Sequence, residues 1–243
     1  MKHMIRLSGV TKSFRLPRER RDTLREHFIG FMRPRAHDEL VAAHDLSLEV
    51  GQGEFLGVVG ANGSGKSTLL KLIAGIYPVH TGTIRVEGRI APFLELGSGF
   101  QSELSGRDNV FLYAALLGLS RREAAERYDA IVAFAGLAGF MDQMVKNYSS
   151  GMQARLAFAI SMHADADVLL VDEVLAVGDG EFQARCLASF ERLKQEGKTV
   201  VFVSHDLDTI ERFSDRVLWL ERGKARMLGS AQETLASYRE AQP

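Results

Sequence analysis

The sequence predicts an α/β protein built on a parallel sheet, with a small antiparallel β part and a helical lobe inserted into the core. Three observations lead there. Short, β-branched apolar runs end at glycine-rich or acidic positions: "FLGVVG" (55–60), "VLLVDE" (168–173) and "TVVFVSH" (199–205). Being apolar on both faces, they fit strands covered on both sides in a parallel sheet. Helical stretches alternate with them, "KSTLLKLIAG" after the first and "GEFQARCLASFERLKQEG" after the second, as crossover connections require. Residues about 105–163 break the alternation, with three helical patterns and no strand candidate.

Taken in chain order, "HMIRLSGV" and "LSLEV" read as the first two strands. "GTIRVEG" and "RVLWLERGKARMLG" have the look of antiparallel hairpin strands. Within the helical stretch, Ser120 is placed to cap the middle helix, and Glu123 three positions on completes a capping box. The boundaries expected are one domain over 1–243 with a helical subdomain over 93–163. Residues 15–35, "RLPRERRDTLREHFIGFMRPR", hold seven arginines against three acids. Leu24, Phe28, Phe31 and Met32 share a helical face there, so the segment reads as a basic, amphipathic insertion.

The chain of 243 residues is long enough to bury a substantial core. Its 46% hydrophobic and 25% charged content is ordinary for a globular protein. A formal net charge of −1 gives no reason to expect a nucleic-acid partner. One cysteine, Cys186, excludes an internal disulfide framework and fits a reducing compartment. The first residues lack the apolar region of a secretory signal, and no run approaches the ~18 apolar residues of a spanning helix. A cytoplasmic location is expected.

The chemistry begins at "GANGSGKST" (60–68), which matches G-x-x-x-x-G-K-[ST] between a predicted strand and a predicted helix. Gly60, Gly63 and Gly65 let the backbone curl, with Asn62 and Ser64 between them, so that N–H groups and the following helix N-terminus face phosphate oxygens. Lys66 then reaches the β and γ phosphates, Ser67 ligates magnesium, and Thr68 follows in the first helical turn. A nucleotide-binding P-loop NTPase core is the expectation. "VLLVDE" supplies the second half: Asp172 ends an apolar strand and holds magnesium, and Glu173 polarises an attacking water.

Between those motifs, "YSSGMQARLAFAI" (148–160) resembles the signature of ABC-type ATPases. Ser149 and Gly151 match that signature, while Tyr148, Ser150 and Met152 depart from its commonest form; Arg155 matches a basic position after it. The resemblance implies that Ser149, Ser150 and Gly151 of one subunit face the nucleotide held by a second copy, hence a homodimer with two ATP molecules between its subunits. It further implies that Asp179, six residues after Glu173, is the D-loop aspartate, that His205 contacts the γ-phosphate, and that Phe14 stacks on adenine. The family usually carries a magnesium-sensing glutamine at the entry to the helical lobe. Here Glu95 or Leu96 falls near that position, and Glu95 is favoured because a carboxylate can also coordinate magnesium.

"ELGSGF", "ELSGRDNVFLYAALLG" and "DEVLAVGD" together resemble the ATP-binding subunits of polysaccharide exporters. That resemblance implies an ATP- and Mg2+-dependent ATPase at the cytoplasmic face of the inner membrane. It would work on an ABC-2-type permease and, through the membrane complex, on a lipid-linked glycan (O-antigen, capsule or teichoic acid). No C-terminal carbohydrate-binding domain is expected. In this family a helix in the 15–35 loop lies near the membrane subunit, where arginines suit a pyrophosphate or anionic lipid headgroup. Two alternatives stay open: an ABC motor for a different exported cargo, and a soluble ABC ATPase outside transport.

Overall fold

Hydrogen bonding sorts the strands into two sheets that meet at the phosphate loop. The computed structural model describes residues 2–17, 37–94, 97–173 and 180–241. The first sheet is antiparallel, with order β2-β1-β4, from β1 (His3–Pro17), β2 (His37–Gly51) and β4 (Thr81–Val86). The second has order β5-β6-β7-β3-β8-β9, from β3 (Phe55–Val59), β5 (Ile90–Phe93), β6 (Val168–Asp172), β7 (Thr199–Val203), β8 (Arg216–Glu221) and β9 (Lys224–Ser230). All its pairings are parallel except the β8–β9 hairpin.

The central strands β3 and β7 are buried at every position, as their unbroken apolar runs require. One face of the sheet carries an aromatic core in which Phe55, Phe190 and Phe202 meet edge to face. Much of it comes from α5 (Gly180–Gln195), α6 (Leu207–Phe213) and α7 (Ala231–Glu240). The other face packs α1 (Lys66–Ile73) and the antiparallel sheet around Leu56, Val58, Leu69, Leu70, Ile5 and Val50.

The helical lobe is built from α2 (Gly106–Leu116), α3 (Arg121–Ala135) and α4 (Ser150–Met162), closing on their own core around Val110, Ile131 and Ile160. The Ser120–Glu123 capping box is present in both directions, and α3 stops at Gly136 in the left-handed conformation. Buried Asn109 on α2 accepts from the Gln101 N–H at 2.7 Å and donates to Gln101 O at 3.0 Å and Ser105 O at 2.9 Å. This pins the segment that joins the sheet to the lobe.

Three readings shift. The first two strands are longer than their apolar patterns: pairing runs to Pro17↔His37, so residues 15–17 of the basic stretch belong to β1 and Phe14 lies inside the strand. Residues 18–35, the rest of that stretch, lie outside the described residues. Phe93, expected to begin the helical lobe, is instead the last residue of β5, and the lobe's first helix starts at Gly106. The hairpin near the C-terminus is antiparallel as expected, but β8 also pairs in parallel with β3 and so extends the main sheet.

Candidate nucleotide site

β3 runs straight into the loop 60–65, which is left-handed at Gly60 (φ 151°), Gly63 (φ 76°) and Gly65 (φ 108°). At Gly65 the requirement is doubled, because a Cβ there would overlap the carbonyl oxygen of Ala42. That carbonyl is in place because β2 carries one extra residue against β1. Lys12 pairs with Ala43 and Ser13 with Val41, leaving Ala42 as a bulge. The Gly223 N–H donates to Ser64 O at 2.9 Å, so the β8–β9 turn braces the loop from the other side. Both sheets therefore hold its shape.

Gly65 is also the N-cap of α1 and offers no side-chain acceptor, and the first turn holds no acidic residue. Its amides are left for an anionic ligand. The Lys66 ammonium donates to Gly60 O at 2.8 Å and Ala61 O at 3.1 Å. Burial pushes its pKa below the usual lysine value, against the opposing pull of Glu173 and Asp172. An ammonium held by loop carbonyls is poised to exchange them for phosphate oxygens.

At the C-terminal end of β6, Asp172 interacts with the Ser67 side chain. Its Oδ1 is buried with no hydrogen-bond partner. Burial raises the carboxyl above its usual range. An orphaned carboxylate oxygen beside a hydroxyl suits a hard divalent cation, for which oxygen donors are the expected ligands. Ser67 and Asp172 thus fit the magnesium site expected of them. Glu173 follows with φ 56°, a left-handed conformation uncommon outside glycine. Its N–H donates to Val203 O at 3.0 Å. Glu173 Oε1 meets His205 Nε2 at 2.7 Å, both side chains about half exposed.

A cavity of about 230 Å3 gathers Phe14, Asn62, Gly63, Gly65, Lys66, Ser67, Thr68 and Glu173. Glu173 and His205 line an adjoining cavity of about 260 Å3. Eight of the expected site residues thus share one space, and His205 reaches it through Glu173. Leu40 and Ala42 line the same cavity and were missed by sequence reasoning. Leu40 is the register partner of Phe14 and stands half exposed, but no motif marks it. Ser149, Ser150 and Gly151 are not in that lining. Ser149 caps α4, its hydroxyl accepting from the Met152 N–H at 3.1 Å, and Ser149 and Ser150 are exposed. Glu95 and Asp179 lie outside the described residues.

Comparison with known proteins agrees with this geometry. Residues 43–176 match the family model for "ABC transporter". The chain is 42% identical over 241 residues to the O-antigen export system ATP-binding protein RfbB of Myxococcus xanthus, covering 97% of this chain and 55% of that protein, little more than half its length. It is 40% identical over 246 residues to an RfbB of Klebsiella pneumoniae, covering 99% of both. It is 39% identical to the teichoic acids export ATP-binding protein TagH of Shouchella clausii, covering 96% of this chain and 64% of that one. Among solved structures, a dimeric post-hydrolysis state of the ATP-binding cassette MJ0796 superposes with a TM-score of 0.76 at 22% identity, covering 94% of this chain and 99% of that one. That likeness speaks for the fold. Motif, cavity and relatives converge: the chain belongs to the ABC transporter family and carries its ATP-hydrolysing cassette.

Proposed function

We propose that this chain powers export of a lipid-linked polysaccharide, of O-antigen, capsule or teichoic-acid type, through a separate ABC-2-type permease in the membrane. The observation that carries the reading is similarity over nearly all of this chain to relatives named as O-antigen export ATP-binding proteins, one of them matched over 99% of both chains. The site supports the hydrolytic half. Glu173 is the general base, and His205 holds it in place from 2.7 Å and senses the γ-phosphate. The loop 60–65 and Lys66 cradle the phosphates, while Phe14 and Leu40 form an apolar platform for the adenine. Ser67 and Asp172 would hold Mg2+, which supplies charge neutralisation on the phosphate oxygens. The expectations for Glu95 and Asp179 stand as part of the same proposal.

Two surfaces support the partner assignments. Ser149, Ser150 and Gly151 sit at the α4 N-terminus, outside the chain's own cavity, and so are available to complete the site of a second copy. A groove of about 320 Å3 between the sheet and the helical lobe is lined by Tyr77, Leu94, Tyr113 and Leu117. Ile76 and Leu116, also in its lining, are 52% and 66% exposed. This apolar face is suited to a helix of the permease. Among the described residues no helix is long and apolar enough to cross a membrane, so attachment to the cytoplasmic face would run through that permease. The basic stretch 15–35 is proposed to meet anionic headgroups beside it.

The test is co-purification with the permease encoded beside a glycan-synthesis cluster, followed by ATPase assays with candidate lipid-linked glycans. Stimulation by one of them supports the proposal. Stimulation only by a drug or an unglycosylated lipid replaces the cargo, and failure of any permease to bind returns the chain to a soluble role.

A further inference from the structure

Phe14 is held by two neighbours that no motif includes. Lys12, two residues earlier on the same strand face, is 7% exposed. Its ammonium donates to Pro78 O at 2.9 Å and lies over the Phe14 ring, 5.2 Å from its centre. Tyr77 meets Phe14 edge to face at 5.3 Å, with an interplanar angle of 73°. The same ammonium stands 5.7 Å from the Tyr77 ring. The segment that carries Tyr77 is stitched to β1 on both sides of Lys12. The His80 N–H donates to Thr11 O at 2.9 Å, and the Ser13 N–H donates to His80 Nδ1 at 3.3 Å. Tyr77 and Lys12 are thus fixed relative to the strand that presents Phe14.

The consequence follows from ring geometry. A phenylalanine partly exposed at a strand position can change rotamer unless something occupies its flanks. Here a cation stands over the ring and a second aromatic meets it at a steep angle, while Phe14 also lines the cavity of the loop 60–65. A pre-set ring costs no ordering when a base stacks on it.

We propose that Tyr77 and Lys12 are positioning residues for the base: they lock the Phe14 ring so that it meets adenine. This rests on the reading of Phe14 as the adenine platform. The clamp acts on the base alone and leaves the phosphate subsite untouched.

The experiment compares binding of MgADP with binding of magnesium pyrophosphate, by calorimetry on the full chain, for the native protein, F14A, Y77A, Y77F, K12M and F14A/Y77A. An aromatic pair contributes enough that Y77A weakens ADP binding about three- to tenfold. K12M weakens it less, and Y77F stays within about twofold because the ring contact is kept. Pyrophosphate binding is unchanged in all of them. The double variant F14A/Y77A binds ADP no worse than F14A, since Tyr77 works through Phe14. Equal loss of ADP and pyrophosphate binding in Y77A would show a merely structural role and overturn the proposal. Native ADP affinity in Y77A alongside a weakened F14A overturns it while leaving the platform reading intact. Native affinity in F14A removes the platform itself, and the clamp with it.

Discussion

Replacing Glu173 by Gln separates catalysis from architecture, and the structure gives a magnitude for each. Glu173 and His205 are 47% and 59% exposed. A polar side-chain contact that open to solvent contributes about 0–1 kcal/mol whether or not it is charged. Gln keeps the side-chain length and an oxygen facing His205, and the left-handed backbone at φ 56° strains both residues alike. The expected stability change is under about 1 kcal/mol, a shift in Tm of no more than about 4 °C for a chain of this size. ADP binding should stay within about twofold, because the proposed phosphate contacts come from the loop 60–65 and α1. Turnover has no such protection: without a carboxylate to take a proton from water, kcat falls about 10²- to 10⁴-fold. Phosphate release, calorimetric ADP titration and thermal unfolding on one preparation test all three. Turnover within tenfold of the native rate would refute Glu173 as the general base. A collapse in Tm would refute the argument that the pair is energetically minor.

Asp172→Asn is predicted to trade stability against function. Burial raises its native pKa above the unfolded value, so the associated stability is full below the usual carboxylate range and is lost as pH rises through the raised native value. At pH 7.5 the ionised, orphaned carboxylate therefore costs the fold, and D172N should raise the urea midpoint of the nucleotide-free protein. That advantage should disappear near pH 3, where both states are protonated, while Mg2+-dependent nucleotide affinity is lost in the variant. Gly65→Ala, at φ 108° and against Ala42 O, costs at least the ~1–2 kcal/mol of a left-handed alanine. The ADP dissociation constant should rise about tenfold or more by calorimetry. Ser149→Ala removes the α4 cap at a cost of about 1 kcal/mol; if Ser149 completes the site of a second copy as proposed, it should spare ADP binding by the monomer and abolish ATPase activity.

The parts legible in the sequence are those whose signal is local. The loop 60–68 could be read because its glycines, lysine and serine act through adjacent backbone, and the structure folds Gly63, Gly65, Lys66 and Ser67 into one cavity. The Ser120–Glu123 box spans four residues and formed as read. Strand β5 escaped because "IAPF" is short and contains Pro92. It stands at the edge of its sheet, where a proline is tolerated and an apolar run is not demanded. The reach of β1 and β2 out to Pro17 and His37 also escaped. Pairing across a long connection is set by the partner strand, and neither segment shows it alone.

Phe14 illustrates the limit most sharply. Its identity as an aromatic near the first strand was readable, but which residue stands opposite it at the cavity is decided by register. Pairing slips by one residue at Ala42 on β2, and because side chains alternate with period two, the slip decides which face the β2 residues beyond it occupy, Leu40 among them. Alanine advertises nothing of this. The same bulge sends the Ala42 carbonyl against Gly65, so one extra residue in β2 both sets the edge of the phosphate loop and brings Leu40 opposite Phe14. The proposed base platform and phosphate cradle are therefore parts of one mechanical unit, although they come from different sheets. It also follows why the cradle's own charges are left uncomfortable: Lys66 is buried on loop carbonyls and Asp172 is orphaned. In the proposed reading a bound nucleotide with its cation would relieve both at once, and sheets already locked together would let that relief appear as affinity rather than as rearrangement.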